Sequence, residues 1–137
     1  MRVILDTNIL LSALLSPSGT PARLLDAWID RRFILVSHAL QLDEIREVSR
    51  REKIRTLIRP AEAGRLVNRI AAVAEMPERL PATRCSPDPR DDFLLALSEA
   101  AQAEFLATGD KSDLLDLVSH GTTRIVTAKA LADLLGL

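Results

Sequence analysis

Two acids stand at or just past the end of an apolar strand-like run, and two more stand on the helices that follow or lead to such runs. Asp6 follows Val3-Ile4-Leu5, Glu44 lies two helical turns beyond Phe33-Ile34-Leu35-Val36, Asp91 ends Asp88-Pro89-Arg90-Asp91, and Asp110 follows Phe105-Leu106-Ala107-Thr108-Gly109. Gathered in one place, carboxylates repel one another. A hard divalent cation removes that conflict: Mg²⁺ or Mn²⁺ takes oxygen ligands, keeps several waters, and uses one or two carboxylates together with phosphate oxygens of a substrate. Such an ion generates hydroxide from bound water and steadies charge on a transition state, so phosphodiester hydrolysis is the natural use. Each acid alone has a plainer role. An Asp after a strand bonds its own backbone in a turn, and Asp91 in a first helical turn is worth about 0.3–1 kcal/mol against the helix dipole. The combination points to a site.

The elements that must position these acids alternate. Val3 to Leu5 is a short, wholly apolar run of the kind buried on both faces of a parallel sheet, and Asn8 to Leu15 reads as a first helix. Ser16-Pro17-Ser18-Gly19 breaks it, and Thr20-Pro21 starts another with Thr20 as N-cap and Leu24, Leu25, Trp28 and Ile29 as its apolar stripe. Phe33 to Val36 is a second buried strand, and Ser37 can cap a helix to about Val48 on which Leu40, Glu44 and Val48 share one stripe. An inward Glu44 would then cost several kcal/mol unless paired. Pro60 opens a helix to about Glu75, and the prolines between Pro77 and Pro89 mark a non-helical connection with a short strand near Leu80. Asp88 caps the next helix, whose stripe is Phe93, Leu94, Leu97 and Ala101. Phe105 to Thr108 and Arg124 to Thr127 are strands, and Thr127 caps a closing helix with Ala130, Leu131, Leu134 and Leu135 inward. Strand alternating with helix predicts an α/β fold with a mainly parallel sheet and helices on both faces, and in such sheets the ligand crevice lies beyond the carboxyl ends of the strands.

The 137 residues fit one domain, 1–137, with 47% apolar and 27% charged residues, values of a globular protein. With three Phe, one Trp and no Tyr, the core must be built mainly from Leu, Ile, Val and Ala, and an aromatic base-stacking platform is not the expected binding mode. A formal net charge of -1 is not that of a strongly basic nucleic-acid binder. Between Arg46 and Arg59, however, six basic residues (Arg46, Arg50, Arg51, Lys53, Arg55, Arg59) face two acids. This stretch is either a solvated helical surface or a phosphate-contacting rim. Cys85 is the one cysteine, so an internal disulfide and a multi-cysteine zinc site are excluded. Val3-Ile4-Leu5 meets Asp6 well short of a signal-peptide core of roughly 7 residues, and no run approaches the roughly 20 apolar residues of a membrane span. The expected location is the cytoplasm.

Leu5-Asp6-Thr7-Asn8, Leu42-Asp43-Glu44-Ile45, Asp88-Pro89-Arg90-Asp91 and Thr108-Gly109-Asp110-Lys111, in this order and spacing, resemble the acidic motifs of PIN-domain proteins, specifically the bacterial ones grouped with VapC-like toxins of type II toxin-antitoxin systems. The resemblance covers nearly the whole chain. It implies a three-layer fold with strand order 3-2-1-4-5 and a Mg²⁺- or Mn²⁺-dependent ribonuclease. It carries the metal-ligand and catalytic roles to Asp6, Glu44, Asp91 and Asp110, and supporting roles to Thr7 and Asn8. It also implies an RNA substrate and a small antitoxin partner, and the family commonly forms homodimers. Many relatives carry Gly-Asp-x-Asp. Here the nearest further acid is Asp113, one residue later, either an added ligand or a helix cap. Between Asp88 and Asp91, the latter is favoured because Asp88 is occupied as a cap.

Arg46, Arg50, Arg51, Lys53 and Lys111 are the candidate RNA contacts. His38 follows the second strand near the crevice, and a lone His is more often structural; His120 in Ser119-His120-Gly121 reads as loop. Ser12 and Ser16 have no base partner, so a Ser-His-Asp reading has no support. A haloacid-dehalogenase-like site would need Asp where Asn8 stands, and the acidic pair of a receiver domain is missing. The alternatives that stay open are a PIN-like module that binds RNA or protein without cutting, and a non-toxin RNA-processing nuclease.

Overall fold

Val3, Ile4 and Leu5 are all buried, and they form the centre of the sheet as β1 (Arg2–Leu5). The computed structural model of the chain describes residues 1–81, 89–109 and 112–137, with the side chains of 89–91 and 112–113 outside that description. Strand side chains alternate between faces, so Val3 and Leu5 enter one apolar cluster and Ile4 the other. On the first face lie α1 (Thr7–Leu15), α2 (Thr20–Ile29), α3 (Ala39–Ser49), α5 (Pro60–Val73) and α8 (Ala128–Leu135), contributing Leu10, Leu24, Ile45, Ile70 and Leu131. On the second lie α6 (Pro89–Ala101) and α7 (Ser112–Leu115), contributing Leu94, Leu95, Leu97 and Leu114. The expected three-layer α/β architecture is what forms.

The sheet is completed by β2 (Ile34–Leu35), β3 (Phe105–Thr108), β4 (Ser119–His120) and β5 (Thr123–Thr127), in the order β2-β1-β3-β5-β4. All neighbours pair in parallel except β4 with β5. Outside β2, Val36 makes a single parallel bridge to Glu75. With that bridge taken as the third strand and the short β4 set aside as an added edge, the sheet has the expected 3-2-1-4-5 order, but the third position is at Glu75 rather than near Leu80. Glu75 is fixed there by its main chain, which exchanges hydrogen bonds with Leu35 and Ser37, and by its carboxylate, which accepts from Arg2 Nε at 2.6 Å. That hydrogen bond and the charge of Glu75 raise the Arg2 pKa. The sequence does not announce the antiparallel β4; Gly121, at φ +59°, supplies the left-handed turn into β5.

Helix boundaries differ from expectation where caps compete. Gly19, not Thr20, is the N-cap of α2, with Pro21 in the first turn, and Ile29 at the end of its stripe is 45% exposed. In α3 the cap is His38, whose Nδ1 accepts from Leu40 N at 3.1 Å, and Ser37 turns inward instead. That one-residue shift accompanies a different buried stripe: Gln41, Leu42, Ile45 and Ser49 are buried while Leu40 is 50% exposed, so Glu44 is half-buried rather than on the inward stripe. Thr127 caps α8 as expected, accepting from Ala130 N, and Gly136 at φ +73° ends it in the left-handed conformation of a helix C-terminus. No described helix is long and apolar enough to cross a membrane.

Candidate functional site

Asp6 leaves β1 at its carboxyl end and is 0% exposed. Its backbone N–H still belongs to the sheet, donating to the Ala107 carbonyl of β3 at 3.0 Å. Its side chain belongs to the next helix: Oδ1 accepts from Ile9 N at 3.0 Å, making Asp6 the N-cap of α1. Oδ2 accepts from Thr108 Oγ1 at 2.6 Å and from Gly109 N at 3.4 Å. The carboxylate is thus held from three directions by β3, by the turn after it, and by α1. A carboxylate offers about four acceptor positions, so among the described residues one is left unfilled.

Thr7, the first residue of α1, is 4% exposed. Among the described residues its Oγ1 is the buried side-chain polar atom with no hydrogen-bond partner, an arrangement that costs roughly 1–3 kcal/mol when nothing compensates it. Asn8, next in α1, is exposed.

Glu44 lies on α3, which packs against α1. It is half-buried and, among the described residues, meets no hydrogen-bond or salt-bridge partner. The helix that carries it is anchored one turn earlier. Gln41, 0% exposed, donates from Nε2 to the Leu5 carbonyl at 2.7 Å and accepts from Ser37 Oγ at 2.6 Å. Leu5 is the residue before Asp6.

Asp91 stands in the first turn of α6 and Asp113 in α7, but their side chains lie outside the described residues, as do Asp88, Asp110 and Lys111 altogether. Among the described residues no group of three His, Cys, Asp or Glu side chains comes together; two of the four expected ligands fall outside them. Of the basic stretch, Arg46 pairs with Asp43 at 3.2 Å on the exposed side of α3, and Arg51, just beyond that helix, pairs with Glu47 at 3.7 Å. Arg50, and Lys53 in α4 (Glu52–Arg55), are exposed. His38 is occupied as a helix cap, its Nε2 3.3 Å from the Glu78 carbonyl oxygen. His120 is in β4 rather than a loop and lies 2.7 Å from Glu99 of α6.

Sequence reasoning does not assign to the site three residues that hold it together: Thr108, Gln41 and Ser37, the last expected only as a helix cap. A signal for Gln41 exists, since it falls on the same helical face as Leu42, Ile45 and Ser49, and a polar residue there must find a partner. The signal for Thr108 is its place at the end of a buried strand, where its hydroxyl has to be satisfied locally.

The donor set suits a hard divalent cation. Among the described residues it consists of oxygens: a buried carboxylate with one acceptor position unfilled, a half-buried carboxylate without a partner, and a buried hydroxyl without a partner, between them in sequence. Neither a curated protein nor a solved structure matches the chain. The model of the PIN domain family does, over residues 2–112, from the start of β1 into α7. With that match spanning most of the chain, and the sheet ordered as it is around Asp6, the chain belongs to the PIN domain family, whose members are generally metal-dependent nucleases.

Proposed function

We propose that this chain is a single-domain, Mg²⁺- or Mn²⁺-dependent endoribonuclease and the toxin of a toxin-antitoxin pair. The observation that carries the nuclease reading is Asp6: a fully buried carboxylate at the carboxyl end of the central strand, held among the described residues by three donors, one fewer than it can accept. The toxin reading rests on the resemblance of the four acidic motifs to those of VapC-like proteins.

In this reading Asp6, Glu44, Asp91 and Asp110 hold the ion, with Asp113 as a further candidate. A bound Mg²⁺ or Mn²⁺ supplies hydroxide at neutral pH and offsets the charge that develops on the phosphate. The chain's own residues do the rest. Thr108 and the Ile9 and Gly109 amides keep the Asp6 carboxylate in one orientation, so no reorganisation is needed when charge develops. The Thr7 hydroxyl, without a partner among the described residues, would hydrogen-bond an oxygen that enters beside Asp6. Asn8, exposed beside it, can meet the substrate, and Arg46, Arg50, Arg51, Lys53 and Lys111 offer positive charge to the RNA backbone.

The test is cleavage of RNA by the purified chain, freed of any co-purifying antitoxin, in Mg²⁺ or Mn²⁺. Cleavage that stops on chelation and in Asp6→Asn is expected. Equal cleavage by Asp6→Asn would end the nuclease reading, and no cleavage by the unaltered chain would leave a PIN scaffold that binds without cutting. For the toxin role, the product of a short adjoining gene should block the cleavage; activity indifferent to it would favour an RNA-processing role.

A further inference from the structure

Resting on the metal-centre reading above, we propose that Gln41 is a positioning residue that sets Glu44 relative to Asp6, acting through the Leu5 carbonyl. The β1–β2 ladder leaves that carbonyl without a main-chain donor. Ile34 N donates to Met1 O at 2.8 Å and Val36 N to Val3 O at 2.9 Å. The two-residue period of a parallel ladder calls next for the N–H of residue 38 on the Leu5 carbonyl. The chain instead leaves the sheet there, with His38 capping α3.

The vacated acceptor is filled by a side chain. Gln41 Nε2 donates to Leu5 O at 2.7 Å. The orientation of that amide is set in turn by Ser37, whose Oγ–H donates to Gln41 Oε1 at 2.6 Å. Ser37 and Gln41 are 0% exposed and Leu5 1%, so no water competes.

The peptide group between Leu5 and Asp6 is therefore gripped on both sides. Its carbonyl is held by α3 through Gln41, and its N–H donates to Ala107 O of β3. Glu44 is three residues beyond Gln41, a neighbour on the same helix surface. One amide thus joins the backbone that aims Asp6 to the helix turn that carries Glu44. Were a metal held by both carboxylates, its ligand distances would have to fall within about 0.2 Å of their usual values, so the relative placement of the two would matter. Removing a group that orients ligands typically weakens metal affinity by about 10–100-fold.

The experiment is Mn²⁺ binding by the full chain, measured by calorimetric titration and by the electron paramagnetic resonance of free Mn²⁺, alongside thermal unfolding in chelator. Gln41→Met keeps the length of the side chain and removes both hydrogen bonds; its Mn²⁺ affinity is expected to fall by about 10-fold or more. Ser37→Ala leaves Gln41 in place but frees its amide to turn, and a loss smaller than that of Gln41→Met but larger than that of the stability control is expected. Leu24→Ala, in the core on α2 and away from α3, is the stability control, expected to lower the unfolding temperature and to leave Mn²⁺ affinity within about twofold of the parent. If Gln41→Met does not fold, Ser37→Ala against Leu24→Ala decides. Parent-like Mn²⁺ binding by Gln41→Met and Ser37→Ala, or a loss no greater than that of Leu24→Ala, overturns the positioning role while leaving the metal centre standing. Failure of the unaltered chain to bind Mn²⁺, or equal binding by Asp6→Asn, overturns the metal centre and this role with it.

Discussion

Thr108→Val removes one oxygen from a site where the side chain is 0% exposed and the hydroxyl is 2.6 Å from Asp6 Oδ2. The replacement has nearly the same shape, so no cavity term enters, and what disappears is a hydrogen bond to a carboxylate, worth about 1.5–3 kcal/mol. Gly109 N, at 3.4 Å from the same oxygen, is too distant to replace it. The extra methyl returns less than about 0.8 kcal/mol because it meets a charged oxygen. A net loss of about 2 kcal/mol is expected. With an unfolding entropy of about 2.1 cal/mol/K per residue, that loss lowers the unfolding temperature of a chain this size by about 7 °C. The assay is thermal and urea unfolding followed by circular dichroism, in chelator so that metal linkage does not enter. A double-mutant cycle with Asp6→Asn isolates the pair, and a coupling energy of about 1.5 kcal/mol is expected. A fall of less than about 2 °C, or a coupling below about 0.5 kcal/mol, would refute the reasoning that Thr108 fixes Asp6.

The same substitution at the neighbouring threonine should act in the opposite sense. Thr7→Val removes a buried hydroxyl that has no partner among the described residues, so without metal the variant should be as stable as the parent or more stable by up to about 1 kcal/mol. Its RNA cleavage in Mn²⁺ should nonetheless fall; unchanged cleavage would make the Thr7 hydroxyl a bystander. For the basic stretch, Arg50→Gln with Arg51→Gln should weaken binding to single-stranded RNA and reduce the slope of log K against log salt by about 0.7 for each phosphate that is no longer neutralised. Arg51 is already 3.7 Å from Glu47, so Arg50 should carry the larger share. An unchanged slope would return both to the solvated surface.

The two central strands are legible because they are largely buried on both faces and so mainly apolar: Phe105 to Thr108 forms as read, and Val3 to Leu5 is the heart of β1, whereas the outer strand expected over Phe33 to Val36 is reduced to Ile34–Leu35 with Ile34 44% exposed. Caps that require a specific side chain are legible in part. Thr127 is where it is expected, whereas His38 takes the role expected of Ser37. The sequence shows that both can accept a hydrogen bond; it does not show that Ser37 has a better use, a buried Gln41 four residues on. The phase of α3 follows from that choice, and with it the place of Glu44. Bonds between segments far apart in the chain are the least legible. The hold of Thr108 on Asp6 spans 102 residues, and nothing local to either residue announces it.

The two described carboxylates of the site are held very unequally. Asp6 completes the hydrogen bonding of β1, caps α1 and accepts from the end of β3. Its orientation is therefore over-determined by bonds the fold needs in any case, and it requires no ion to hold it in place. Glu44 has no comparable set of partners among the described residues, and its position derives from the attachment of α3 to the sheet. In the proposed ligand set the work would be divided: the rigid half would fix where a cation sits, and the half carried by α3 would decide how well the cation is completed. The joint between them is the Gln41 amide on the Leu5 carbonyl, placed where the β1–β2 ladder would otherwise have run out of main-chain donors.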